Sequence, residues 1–178
     1  MPAIQARALP PAADEYAAPF AGYVARVPSG DIVTTIRSQL PATLSLLRTI
    51  EPARTVTGYA PGKWSIRDIV QHMADTERVM SYRALRIARG DLTPLPGFDE
   101  NAYAPAAGAG ARSMESLLAE LETVRAATVA LMDGLPGEAW ERRGTASENP
   151  VTVRALAWII AGHERHHVAI IRERYLTD

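Results

Sequence analysis

Apolar residues recur at three- and four-residue intervals along four stretches of this chain, the spacing that places them on one face of an α-helix. In the first, from about Asp31 to Ile50, the pattern is carried by Ile32, Ile36, Leu40, Leu44 and Leu47, with Ser29 or Asp31 placed to cap it. Pro41 lies inside this pattern. Lacking an N–H and crowding the preceding turn, it is expected to kink the helix or divide it. The second stretch has the clearest ends. Ser65 is a good N-cap, and Asp68 three residues later is a shorter form of the capping-box acid. Trp64 and Ile69 occupy the positions of a hydrophobic staple, and Gly90 ends the stretch after Arg86 and Arg89, whose cations suit the negative helix end. The third opens at Ser113, carries Met114, Leu117, Leu118, Leu121, Val124 and Val129, and stops at Gly134 and Pro136. The fourth runs from near Thr152 to about Tyr175.

Nothing between them reads as a sheet, beyond a short β-like turn around Arg142–Val151. Four amphipathic helices without strands predict an all-α four-helix bundle. Residues 91–112 and 135–151 are long, Pro/Gly-rich connections, and an extended segment of that length can cross a bundle from end to end. Long crossover connections, and hence a non-sequential helix order, are therefore expected. The run Ala106-Ala107-Gly108-Ala109-Gly110 follows no strand and reads as flexible linker rather than as a phosphate loop. Residues 1–28 are rich in Ala and Pro without sustained periodicity and read as a loosely ordered N-terminal arm with room for one short ordered segment, leaving 29–178 as the bundle domain.

With 178 residues, 47% of them hydrophobic, the chain can bury a sizeable core as one domain. A net charge of -1, and basic residues interleaved with acids, argue against nucleic acid as a partner. Lys63 is the lone lysine, so the basic residues are almost all arginines. The absence of cysteine removes disulfides, thiolate ligands, iron–sulfur clusters and cysteine nucleophiles. Pro10, Pro11, Asp14 and Glu15 interrupt any signal-peptide core, and the apolar run Ala155–Ala161 falls far short of the roughly 20 residues that span a bilayer. The expectation is a cytoplasmic protein with no membrane partner.

All four histidines lie in two places, His72 on the second helix and His163, His166 and His167 on the fourth. His163 and His167 are one turn apart and project about 6 Å apart along the axis, from the face that carries Leu156, Ile159, Ile160, Ile170 and Ile171. Imidazoles on a core face must have their nitrogens satisfied. A lone one would be read as a hydrogen-bonded core residue. A pair, with His72 available from another helix, fills three positions around zinc or a similar ion. Asp75 is placed to orient a ligand imidazole, or else to pair with Arg78 or Arg83. His166 lies about 60° from His163 and about 100° from His167 around the helix, which suits the surroundings of the site rather than the metal. His163-Glu164-Arg165-His166-His167 formally matches the HExxH zinc-peptidase motif. That reading expects a further ligand downstream and a sheet beside the helix, and Glu164 projects about 100° from His163. A peptidase is therefore set aside.

Three blocks in order resemble the DinB superfamily. They are Gly62-Lys63-Trp64-Ser65-Ile66-Arg67-Asp68-Ile69 with His72-Met73-Ala74-Asp75-Thr76-Glu77-Arg78, then Leu95-Pro96-Gly97-Phe98-Asp99-Glu100-Asn101, then His163-Glu164-Arg165-His166-His167. The likeness covers about residues 30–175. It implies a four-helix bundle with long crossovers, often a homodimer, and one divalent metal, zinc or nickel, on three histidines that map onto His72, His163 and His167. Relatives include bacillithiol S-transferases and mycothiol-dependent enzymes, while many members have no established reaction. The expected function is metal-assisted transfer of a small-molecule thiol to an electrophilic substrate. Metal-dependent hydrolysis by activated water, with Asp75, Glu164 or His166 carrying a proton, stands beside it. So does a non-catalytic, metal-stabilised bundle acting through a ligand or a dimer surface.

Overall fold

The computed structural model describes residues 7–177. In chain order it contains α1 (Ala21–Val24), α2 (Ile32–Arg48), α3 (Ile66–Ala88), α4 (Glu100–Ala106), α5 (Met114–Asp133), β1 (Arg143–Ala146), β2 (Asn149–Thr152) and α6 (Val153–Tyr175). The long helices begin where their caps dictate. Asp31 accepts from the Thr34 N–H at 2.8 Å, Ser113 from Ser116 and Thr152 from Ala155. At α3 the capping box is complete, with Asp68 N–H donating to Ser65 Oγ at 3.2 Å and Ser65 N–H donating to Asp68 Oδ2 at 2.9 Å. Gly90 takes the left-handed conformation that stops α3, at φ +80°.

The four long helices form the bundle, and its order is not sequential. Both α2 and α3 pack along α5 and α6, which places α2 diagonal to α3 and α5 diagonal to α6. The core divides into two apolar clusters. One joins Ile36, Met80, Ile87, Met132, Trp140 and Trp158, and the other joins Leu40, Leu47, Met73, Leu117, Leu121 and Ile171. Their membership fixes helix direction: α3 and α5 both run from the second cluster toward the first, and α2 and α6 run the other way. Because α3 and α5 are parallel, residues 91–112 must return the length of the bundle. That segment accordingly has Leu95 in one cluster and Ala109 in the other.

Four expectations are corrected or narrowed. Residues 135–151 join two helix ends at the same end of the bundle, so this connection folds up as a β1–β2 hairpin instead of crossing. Its turn residues, Ser147 and Glu148, have φ of 50° and 64°, the signature of a tight I′ hairpin turn. The stretch Ala106–Gly110 is no loose linker: Ala109 is 1% exposed, and Arg67 donates to the carbonyls of Gly110 and Arg112. Of the two outcomes expected at Pro41, division does not occur, since α2 is one helix from Ile32 to Arg48. The carbonyl that Pro41 leaves unpaired belongs to exposed Arg37, where water can satisfy it.

The fourth correction is the largest. From Arg7 onward the arm is fastened to the bundle. The Ile32 N–H donates to the Arg7 carbonyl at 3.0 Å, and Glu15 is 3% exposed, accepting from Thr152 at 2.8 Å and pairing with Arg154. Helix α1 lies against α6 at Gly162, so closely that a Cβ there would come within 2.1 Å of the Tyr23 carbonyl oxygen. Apolar periodicity gave no sign of this, because the arm's apolar contacts, Val24 in the first cluster with Tyr16, Phe20, Tyr23 and Val27 against it, come at no regular helical spacing. Among the described residues no helix is long and apolar enough to cross a membrane.

Candidate metal centre

Between the two apolar clusters the antiparallel neighbours α3 and α6 face each other across a polar layer. His72 projects from the second turn of α3, and His163 and His167 from the middle of α6. The Nε2 atoms of His72 and His163 are 2.9 Å apart, and those of His167 and His163 are 3.0 Å apart. One donor nitrogen from each of the three lies within 4.8 Å of the others, making them the one group of three or more potential metal ligands among the described residues.

Hydrogen bonding alone does not account for this arrangement. A neutral imidazole Nε2 either donates one hydrogen or accepts at one lone pair, so His163 Nε2 cannot satisfy both neighbours. Protonation is opposed too. Burial holds the His163 pKa well below the ordinary histidine value, with repulsion from His167, His72 and His166 adding to the effect. Burial likewise brings His167 down to about 3 and lowers His72. Three neutral imidazoles therefore converge on one point, where the tautomer that carries its proton on Nδ1 turns the Nε2 lone pair inward. The N···N edge of a tetrahedral zinc site, with bonds of 2.0–2.1 Å, is about 3.3 Å, so small ring adjustments admit a divalent ion. The donor set fits. Around it, Thr76 Oγ1 stands 3.4 Å from His72 Nδ1, and the Trp64 ring packs on the His72 ring at 4.8 Å. The buried Nδ1 of His167 has no partner among the described residues.

Above the three nitrogens opens a cavity of about 440 Å³. Phe20, Tyr23, Trp64, Met80, Phe98 and Ile159 give it mostly apolar walls, while Thr76, Arg83, Glu100, Asn101 and Ser147 add polar groups. A small molecule entering the cavity would reach the point on which the three imidazoles converge.

The other anticipated residues are placed differently. Asp75 does not reach His72. It accepts from Gln71 at 3.0 Å and from Arg78 at 3.3 Å on the outer side of α3. Glu164 is 3% exposed and turned away from the histidines: Oε1 accepts from Thr43, and Oε2 accepts from Gln39 and from Arg125 at 2.7 Å. It is a member of a buried Glu77–Arg125–Glu164 ion cluster and is not placed to carry protons to the pocket. His166 is half-buried beside the site, its ring 5.1 Å from the rings of both His167 and Tyr23. The sequence reading missed Tyr23, whose edge also meets the His163 ring at 5.4 Å, and Arg83 on the pocket wall. Arg83 was detectable as an arginine in the apolar register of α3, between Met80 and Ile87. Tyr23 carried no signal, since the arm lacks periodicity.

The likeness to known proteins follows the same frame. Residues 35–171 match the sequence profile described as the DinB superfamily. A protein of Oceanobacillus iheyensis, named as a candidate metal-dependent hydrolase, is 29% identical over 142 residues, covering 79% of each chain. The solved structure of YfiT from Bacillus subtilis, described as having an unusual four-helix bundle topology, superposes with a TM-score of 0.71 at 22% identity, over 80% of this chain and 82% of that one. A mycothiol-dependent maleylpyruvate isomerase shares the fold at a TM-score of 0.67 and 15% identity, over 82% of this chain and 61% of that one.

Proposed function

Since this chain belongs to the DinB superfamily, we propose that it is a metal-dependent enzyme that transfers a small-molecule thiol to an electrophilic substrate in the pocket above His72, His163 and His167. The observation that carries the reading is the convergence of three neutral imidazoles beneath a largely apolar cavity, with none of the described carboxylates hydrogen-bonded to them. A divalent ion at that point, zinc or nickel, supplies a Lewis acid that lowers the pKa of the thiol or water joining it. The three neutral imidazoles would hold such an ion without reducing its charge, which would suit an anionic ligand such as a thiolate. Thr76 and the Trp64 ring orient His72, and Tyr23 braces His163. The apolar walls exclude water from the electrophile and strengthen the electrostatics within.

Hydrolysis is the second reading. Glu100 stands on the pocket wall near enough for its charge to act on His72, which places a carboxylate where a proton could be accepted. The hydrolase names of relatives lend it further support.

Metal content of the untagged chain, measured beside His72→Ala, His163→Ala and His167→Ala, tests the common premise. About one equivalent is expected, with affinity lowered at least about 100-fold in each variant while helicity persists. Binding indifferent to all three changes removes the premise. Conjugation of low-molecular-weight thiols to electrophiles, lost on chelation and restored by metal, then separates the readings. Chelator-sensitive ester or amide cleavage without conjugation assigns hydrolysis instead.

A further inference from the structure

Two arginines are buried in this molecule, and they differ in one respect. Arg125 is 3% exposed and meets two carboxylates, Glu77 at 2.8 Å and Glu164 at 2.7 Å. Arg83 is 4% exposed, lines the pocket, and has no carboxylate within ion-pairing distance among the described residues. Its Nη2 donates to the Pro96 carbonyl at 2.7 Å and to Ser147 Oγ at 3.0 Å, and Nη1 reaches the Met80 sulfur at 3.7 Å. Among the described residues its hydrogen bonds are made by Nη1 and Nη2 alone, and the guanidinium lies 5.8 Å from the centre of the Phe98 ring. All these partners are neutral.

An arginine does not shed its proton at any ordinary pH, so burying one without an anion leaves the desolvation of its charge uncompensated. The contacts to Pro96 and Ser147 tie residues 94–99 to the hairpin turn, but a neutral amide would serve for that. The one described carboxylate in the pocket lining, Glu100, forms no ion pair with Arg83, so this fixed positive charge is accounted for by an anion that arrives from the pocket. Arg83 lies 11 residues along α3 from His72, three turns toward the other end of the cavity. The two ends of the pocket therefore offer different chemistry, an arginine at one and three imidazoles at the other, within walls that are mostly apolar.

We infer that the substrate of this pocket carries a carboxylate, bound by Arg83 at the end remote from the three histidines, with an apolar body between that anion and the reacting group. Arg83 is then the specificity-determining residue of the site. This rests on the pocket being where substrate binds, as proposed above, but not on a metal being present.

Hexanoate and its neutral isostere hexanamide, titrated by NMR into the full chain in zinc-loaded and metal-stripped forms at pH 8, test it. Hexanoate is expected to bind at least tenfold more tightly than hexanamide in both forms. That preference is expected to vanish in Arg83→Met and to survive in part in Arg83→Lys. In the wild-type chain the Arg83 Nε–H resonance is expected to move with hexanoate and not with hexanamide, a readout that does not depend on the Met variant folding. Equal binding of the two probes, a preference unchanged in Arg83→Met, or an unmoved Arg83 resonance overturns the inference. A preference confined to the zinc form and indifferent to Arg83 places the carboxylate at the metal and overturns it likewise. Failure of the metal reading shows itself separately, as zinc binding that does not depend on the histidines.

Discussion

At the scale of single residues, neighbours in space set the role of a side chain more than its type does. His163 and Glu164 are adjacent in sequence, yet one faces the pocket and the other an arginine, because successive helix positions diverge by about 100°. The burial that strips protons from the histidines also has a consequence for stability. His163 and His167 have folded-state pKa values below the unfolded value near 6.5, so below that pH the unfolded chain binds more protons. The metal-free protein is therefore expected to lose stability as pH falls from 7 to 5, by at most about 1.4 kcal/mol per pH unit for each such imidazole. Above pH 7.5 these two imidazoles contribute no slope. Thermal unfolding of the stripped chain between pH 7.5 and 5 measures this. A flat profile would mean that the imidazoles accept protons without unfolding.

At the scale of elements, the helices follow local rules while their contacts follow shape. The caps at Asp31, Ser65, Ser113 and Thr152 all act where the side chains allow. The docking of α1 on α6 depends instead on a missing side chain. Gly162→Ala would drive a methyl group to within 2.1 Å of the Tyr23 carbonyl oxygen and 2.5 Å of its carbon, both backbone atoms that cannot rotate aside. The expected loss is about 1–3 kcal/mol in urea unfolding, accompanied by faster amide exchange over residues 21–24. Tyr23 would leave the His163 ring at the same time. Exchange and stability unchanged in the variant would mean that α1 is not held by this contact.

At the scale of the whole molecule, two apolar halves are separated by a polar layer. On α3 the layer is Thr76 and Glu77, on α5 Arg125 and Thr128, and on α6 His163, Glu164 and His167, every one of them buried. The ion cluster in that layer holds two carboxylates against one guanidinium, and the carboxylates raise the Arg125 pKa against the opposing effect of burial. Arg125→Met would leave both acids unpaired and is expected to destabilise the chain by about 3–5 kcal/mol. The triple change Glu77→Leu, Arg125→Met, Glu164→Leu is expected to recover most of that loss, since the whole group then becomes apolar. Denaturant titration of both variants decides the matter. A triple variant less stable than the single one would show that pairing in the layer stabilises the fold outright.

The sequence by itself determined the bundle, the helix ends and the three histidines. Apolar periodicity and cap chemistry are local, and a pair of imidazoles one turn apart on a core face stands out in any fold. The likeness of three short blocks to the DinB superfamily reached the same site from another direction. What only the tertiary structure decided was how the helices are ordered and what surrounds the histidines. Parallel α3 and α5 require residues 91–112 to travel the length of the bundle, and a hairpin spares 135–151 that journey. Asp75 and Glu164 belong to other partners, Tyr23 arrives from an arm without periodicity, and Arg83 is left without an acid. Each of those facts depends on which side chains meet across helices distant in sequence, and a residue's own neighbours along the chain do not encode that.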